Sequence, residues 1–401
     1  MRKSLVLLPI FVAVAVFNVG IGMIMPILPL YAQSYGATAF VVGLMVSAAS
    51  IGRLVMQGPG GYFADTYGNQ KMAAIGFGIF TPSMLLMAFL PTPYLFVCLR
   101  FVEGMAEGLG IPALYSIVAT RSLPEDTGIN FGMFTAFATA GLAIGPVLGG
   151  FLGDYWDGRL PFVITAAIAI IVALFLFRLP TAAAAQPVKA AARKKERMGF
   201  VTALEQLAQG SNLKTLLPAS LFSFLTKFAF AALQVVLPLY LVDVMGISKE
   251  SLGFIFSLNF FIYSFSQPLA GWLSDKMGND YDIILGGTII GLAFLLFPLA
   301  PSYPVFLAIF ACEAFAAAWV TVSLRRLVGR HMDIANTGKA FGIVGAIGDL
   351  GSFSGPLIAG LSYQWVPLLP FVLIGVLSLI CSINSLRLLR SVAPPVAASS
   401  R

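Results

Sequence analysis

Gly61-Tyr62-Phe63-Ala64-Asp65-Thr66-Tyr67-Gly68-Asn69 returns later in the chain as Gly271-Trp272-Leu273-Ser274-Asp275-Lys276-Met277-Gly278-Asn279, with its Gly, Asp, Gly and Asn each displaced by 210 positions. The same displacement carries Thr127-Gly128 onto Thr337-Gly338 and Phe131-Gly132 onto Phe341-Gly342. It also carries Gly141, Gly145-Pro146 and Gly150 onto Gly351, Gly355-Pro356 and Gly360. One offset held across three separate regions marks an internal duplication, which has to be recognised before any single element is read.

What is duplicated follows from composition. Of 401 residues 59% are apolar and 10% charged, against roughly 45–50% and about 25% in soluble domains. At roughly 20 apolar residues per spanning helix the chain holds about twelve spans and no sizeable soluble domain. Apolar runs bounded by Gly, Pro or charge fall at 5–32, 39–62, 71–90, 94–118, 129–152 and 160–179, then at 215–243, 250–272, 283–300, 303–325, 338–361 and 366–388. The repeat offset thus contains six spans, an even number, so the two halves run the same way through the membrane. The expected fold is an all-α membrane protein of twelve transmembrane helices in two pseudo-symmetric six-helix bundles. Its parts are residues 1–180 and 213–390, a cytoplasmic linker at 181–212 with an interfacial helix near 199–209, and a cytoplasmic tail at 391–401.

Charge placement sets the orientation. With a cytoplasmic N-terminus, 19 of the 24 Lys and Arg fall on the cytoplasmic side, two outside (Arg159 and Lys249) and three within spans. The positive-inside rule then puts both termini in the cytoplasm of a bacterial-type inner membrane. Met1-Arg2-Lys3 and the apolar residues to Tyr31 read as a retained first helix rather than a signal peptide. The linker cluster Lys189, Arg193, Lys194, Lys195 and Arg197 reads as a topology-fixing loop, not a nucleic-acid site. Cys98, Cys312 and Cys381 lie in apolar runs and read as small buried side chains. There is no Cys/His cluster, nucleophile motif or phosphate-binding Gly-Lys-Ser/Thr loop, so neither an enzyme, a metal site nor a cofactor is expected, and ATP is not the expected energy source.

Ionisable residues deep in apolar runs carry the functional reading. They are Arg53, Arg100, Glu103, Glu107, Lys227, Glu313 and Asp349. Such a group at the bilayer centre costs at least ~2.5 kcal/mol on insertion scales, so each requires a partner or a water-filled cavity. Arg100, Glu103 and Glu107 are spaced to share one helix face. Three bases against four acids leave one carboxylate over, and an uncompensated buried carboxylate takes up a proton readily because burial disfavours its charged form. Glu107 and Asp349 lead as proton carriers, since neither has a base one turn away on its own helix; Glu313 and Glu103 follow, related to each other by the repeat offset. Neutralisation by opposite charges on different helices is the open alternative.

The loop Gly61 to Lys71, with Gly68 able to take a positive φ and Gly61 allowing close helix approach, resembles the signature loop of the major facilitator superfamily. The residues that fit are Gly61, Asp65 and Gly68 in the first half, and Gly271, Asp275, Lys276 and Gly278 in the second; Thr66 stands where the pattern has a basic residue. Gly132, Gly141, Gly145-Pro146 and Gly149-Gly150 resemble the Gly-Pro motif of its drug/proton antiporter branch. Arg100 and Gly104 fit the fourth-helix motif, with Glu103 in place of Gln.

The resemblance implies the major facilitator fold, a cytoplasmic gate at the two loops, and a cavity lined by the first, fourth, seventh and tenth helices. Arg53, Arg100 and Lys227 become cavity charge partners. Asn18, Tyr31, Phe224, Gln234, Asn259, Tyr263 and Trp319 become cavity-lining candidates, and an aromatic-rich pocket with few polar anchors suits hydrophobic or amphiphilic solutes. The expected function is secondary active, proton-coupled export of such a compound by a lipid-embedded monomer. The alternative is a carrier of a defined metabolite such as a sugar or organic anion.

Overall fold

The computed structural model describes residues 7–123, 126–153, 158–179, 212–277, 281–331 and 334–390; the linker and its expected interfacial helix, and the tail, lie outside these. The described residues form twelve long helices. They are α1 (Leu8–Ser34), α2 (Ala39–Tyr67), α3 (Asn69–Phe89), α4 (Pro93–Arg121), α5 (Thr127–Leu152), α6 (Leu160–Arg178), α7 (Asn212–Leu239), α8 (Lys249–Met277), α9 (Asp282–Leu296), α10 (Tyr303–His331), α11 (Ile334–Trp365) and α12 (Leu369–Arg390). Each overlays one of the apolar runs. Eleven are long and apolar enough to cross a membrane; the other is α4, which carries Arg100, Glu103 and Glu107. In hydrocarbon every backbone N–H and C=O must be satisfied within its own segment, so runs of this length fold as helices.

Local chemistry sets the ends. Prolines occupy the first turns of α1, α4 and α6, where a missing N–H costs nothing. The Thr38 hydroxyl caps α2 by accepting from the Val41 N–H at 3.3 Å. Between α2 and α3 the chain turns on Gly68 alone, at φ +98°, a conformation that would strain any residue with a Cβ. After Leu239, α7 closes with one π-helical turn, Tyr240–Val244.

The chain divides into two compact units. The first comprises Met1–Arg193, Ala231–Ser264 and Phe353–Pro370, the second Lys194–Phe230, Phe265–Ser352 and Phe371–Arg401. In the first unit α2 packs along α4, α1 along α5, and α3 along α6 and α4. In the second, α9 packs along α10 and also against α12, where Gly291 meets Leu379 and Gly375, while α11 lies against α7. The duplication is visible in these pairings. Gly141 of α5 rests on the Ala15 carbonyl and Asn18 of α1, and its repeat mate Gly351 of α11 rests on the Phe224 carbonyl and Phe228 of α7.

Two expectations are corrected. Gly61 faces open space; the close approach of α2 to α4 is made by its neighbour Gly60, whose Cβ position would lie 2.5 Å from the Gly108 carbonyl oxygen. Cys98 and Cys312 are exposed on their helices and only Cys381 is buried. Hydropathy cannot separate a lipid-facing position from a core one, because lipid tails are as apolar as leucine.

Candidate functional site

Six of the seven in-span ionisable groups form three ion pairs. Arg100 and Glu103, one turn apart on α4, meet at 2.7 Å with side chains 16% and 0% exposed. Arg53 at the middle of α2 reaches Glu107 at the middle of α4, 2.8 Å away, the side chains 50% and 17% exposed. Lys227 at the middle of α7 donates to Asp349 at the middle of α11 at 2.6 Å, with exposures of 41% and 36%, and points a second donor at the Gly345 carbonyl 3.4 Å away. The two leading proton carriers therefore each have a base on a neighbouring helix. Glu313, the seventh group, is buried in α10 at 6% exposure.

The last two pairs bear most on chemistry. An ionised pair exposed to this degree halfway along a span cannot look onto hydrocarbon; it requires water at that depth. One such pair lies within each unit.

A narrow cavity of about 40 Å³ lies inside the first unit, lined by Ile21, Met25, Met45, Met84, Arg100 and Gln234 among others. It has room for about three or four waters at roughly 10–15 Å³ each. The Nε of Arg100 is buried without a hydrogen-bond partner, and water in this cavity would satisfy it. Of the cavity candidates, Gln234 thus stands beside a charged group. Tyr31 lies apart from this cavity: its hydroxyl donates to the Ala88 carbonyl at 3.1 Å and its ring sits among Tyr35, Phe96 and Phe162. Asn18 packs at Gly141, Phe224 stacks on Phe228 at 5.6 Å, and Asn259 and Tyr263 are half-buried on α8. Trp319 is buried in α10 beside Phe315.

At the end of the first unit that carries the α1–α2 and α7–α8 connections, two seams close backbone on backbone. In one, Gly150 and Pro146 of α5 meet Gly253 of α8; a Cβ on Gly150 would lie 2.5 Å from the Lys249 carbonyl oxygen and 3.0 Å from the Gly253 Cα. In the other, Gly360 and Pro356 of α11 meet Gly43 and Ala39 of α2. Every member of the second seam is a member of the first displaced by one repeat. A serine of the same relation adds a hydrogen bond to each: Ser47 of α2 donates to the Phe353 carbonyl of α11 at 2.7 Å, and Ser257 of α8 accepts from the Val147 N–H of α5 at 3.0 Å. At the same end the amide of Gln33 donates to the carboxylate of its repeat mate Asp243 at 2.7 Å. Gly141, Gly145 and Gly149 hold α5 against α1, whereas Gly132 faces open space.

The end of the second unit that carries the α8–α9 connection holds a polar cluster of which the sequence pointed only to Asp275. Asp282, 1% exposed at the start of α9, accepts from the hydroxyls of Ser274 and Ser323, the latter at 2.8 Å, and from the Ile283 N–H at 2.9 Å. Arg326 of α10 lies 3.8 Å from Asp282 and 4.0 Å from Asp275, and donates to the Ser274 carbonyl. The repeat mates of Asp282, Ser274, Ser323 and Arg326 are Met72, Ala64, Ala113 and Ser116, so only the second half builds this cluster. Lys276 is engaged elsewhere, its ammonium 5.1 Å from the centre of the Trp272 ring; Gly271 makes no close contact. Gly278 and the side chain of Asp65 lie outside the described residues. No cluster of His, Cys, Asp and Glu among the described residues is arranged to hold a metal ion.

Comparison with known proteins agrees with this architecture. The chain is 25% identical over 356 residues, 85% of either chain, to quinolone resistance protein NorA of Staphylococcus aureus (strain Mu50). It is 25% identical over 355 residues, 85% of this chain and 86% of the other, to an uncharacterized MFS-type transporter of Methanocaldococcus jannaschii. Among solved structures, a bacterial homologue of the human lysosomal transporter Spinster superposes with a TM-score of 0.80 at 16% identity, covering 98% and 99% of the two chains. The nucleoside transporter NupG superposes with a TM-score of 0.74 at 16% identity, covering 98% of each; at such identities these two speak for the fold alone. The family model of the Major Facilitator Superfamily matches residues 10–248 and 219–401, which is nearly the whole chain in two repeats, and the protein is a member of that superfamily of membrane transporters.

Proposed function

We propose that the protein is a proton-coupled exporter of a small hydrophobic or amphiphilic compound, working as a lipid-embedded monomer by alternating access. The observation that carries this reading is the pair of half-exposed ion pairs, Arg53–Glu107 and Lys227–Asp349, at the middle of their helices. Ionised groups there need water in the membrane's centre, which a transport path supplies. Glu107 and Asp349 are the carboxylates through which protons pass, with Glu313 and Glu103 in reserve. The two glycine seams form the outer seal and the Asp275–Arg326–Asp282 cluster braces the inner gate. The orientation that goes with this is an inner membrane of bacterial type with both termini in the cytoplasm, from the placement of Lys and Arg.

The likeness to NorA, named for quinolone resistance, favours export of a drug-like compound. Everted membrane vesicles acidified by respiration provide the test. Substrate added to vesicles containing the protein collapses part of the pH gradient, and vesicles carrying Asp349→Asn do not respond. A chemically broad panel that never dissipates the gradient would remove the antiport reading. The second reading, a carrier of one defined metabolite with Arg53, Arg100 and Lys227 as anion anchors, predicts saturable exchange of a single compound class with no gradient collapse by the others.

A further inference from the structure

Lys227 and Asp349 sit where α7 and α11 lie close together: a Cβ on Gly348 would lie 3.0 Å from the Lys227 Cδ, and Gly351 abuts the Phe224 carbonyl. The lysine stem is thereby laid across bare backbone, and the two charged heads meet while remaining about two-fifths exposed. Beside them Phe224 stacks on Phe228. This wall offers one positive head, one negative head and an aromatic surface. Its repeat mates in the first half are Phe17 and Thr139 for the charged pair, so the duplication does not copy this pair into the first half.

We propose that this pair is a recognition site for zwitterionic amphiphiles, the carboxylate of the ligand taking Lys227, its ammonium taking Asp349, and its apolar part lying on Phe224. The inference rests on the transport reading above and deepens it by naming the substrate class. Its logic is charge balance at a depth where a stray charge is expensive. A monoanion that takes Lys227 leaves Asp349 without a partner, and a monocation that takes Asp349 leaves Lys227 stranded. A zwitterion exchanges one internal pair for two intermolecular ones and strands nothing. The same argument gives each single variant a direction. Removing the acid turns the wall into an anion site, and removing the base turns it into a cation site.

The test uses the full chain in phosphatidylcholine nanodiscs and three tritiated probes of equal chain length: N-decyl-N,N-dimethylglycine, decanoate and decyltrimethylammonium. Binding to empty nanodiscs is subtracted. Wild type is expected to bind the zwitterion at least ten-fold more tightly than either ion. Asp349→Asn shifts preference to decanoate, Lys227→Met shifts it to decyltrimethylammonium, and the exchanged pair Lys227→Asp with Asp349→Lys restores the zwitterion. The exchange variant also guards against misfolding, since it keeps both charges. A wild type that prefers a single ion, or an order of preference that neither single variant alters, overturns the proposal. If no probe binds wild type while another compound still drives proton-linked exchange, the ligand class is refuted and transport stands; if nothing is bound or exchanged, the transport reading falls first.

Discussion

Gly150→Ala tests the outer seal with a single methyl group. The new Cβ would lie 2.5 Å from the Lys249 carbonyl oxygen, where ordinary contact begins at 3.4 Å, so α5 and α8 must part there by about 0.9 Å. A gap of that size forfeits a quarter to a half of the dispersion energy of the facing atoms, and overpacking of this kind costs typically about 1–3 kcal/mol. If the seam is closed in one state of the cycle and open in the other, that cost falls on the closed state alone. It then shifts the balance between them by about 5- to 150-fold. Spin labels on Ser34 and Val366, both exposed at this end of the first unit, report the separation by pulsed dipolar spectroscopy. The longer-distance population is expected to grow in Gly150→Ala and in its repeat mate Gly360→Ala. Gly132→Ala, the same substitution on the same helix facing open space, is expected to leave the distribution as in wild type. Equal behaviour of Gly150→Ala and Gly132→Ala would refute the idea that these contacts form a seal.

Arg100→Met leaves the fully buried Glu103 carboxylate without its base and is expected to cost about 3–5 kcal/mol, read as a fall in the midpoint of thermal unfolding in detergent; Arg100→Met with Glu103→Leu recovers most of it. Asp282→Ala leaves the hydroxyls of Ser274 and Ser323 unpaired in a buried site, with an expected loss of about 1–3 kcal/mol for each group stranded, while the same change at Met72 in the first half strands no polar group; calorimetry of the two variants separates these effects. Glu107→Gln is expected to abolish gradient-driven transport in proteoliposomes yet to retain substrate exchange between equal pools, and loss of both activities would point to a structural role instead. Gly68→Ala meets no atom within 4 Å but holds φ at +98°, so a cost of about 1–2 kcal/mol from backbone strain alone is expected, visible as lowered thermal stability with unchanged substrate affinity.

Span number and helix bounds were legible in the sequence because hydropathy survives any detail of packing. The charged residues were legible too, one at a time, since an ionisable group in an apolar run has few innocent explanations. Their partnerships were legible only in part. Helical spacing finds Arg100 with Glu103 on one face of α4, but it is blind to Arg53 reaching Glu107 across α2 and α4, or Lys227 reaching Asp349 across α7 and α11. Asp282 escaped notice because it stands at the lip of a span, where an acid needs no special excuse; only its burial among two serines and an arginine sets it apart. Glycine motifs misled by one position in α2, where Gly60 and not Gly61 meets α4, because spacing says which residues share a stripe and not which stripe meets a neighbour. Yet the repeat offset held the signal for the seams: Gly43 with Gly253, and Gly150 with Gly360, could have been matched in the same way as the signature loops.

The glycine contacts of the seams are backbone against backbone, and the side chains beside them, Ser47 and Ser257, carry no charge. Their tightness is a property of shape, with no charge for salt to screen and no proton for acid to add, so ionic strength and acidity should leave their own resistance to parting nearly unchanged. Sensitivity to the medium must then enter through the Gln33–Asp243 contact at the same end and through the charged pairs at mid-span. If the seams are the seal and the charged pairs the sensor, the two are separate parts, and mutations that loosen one need not blunt the other.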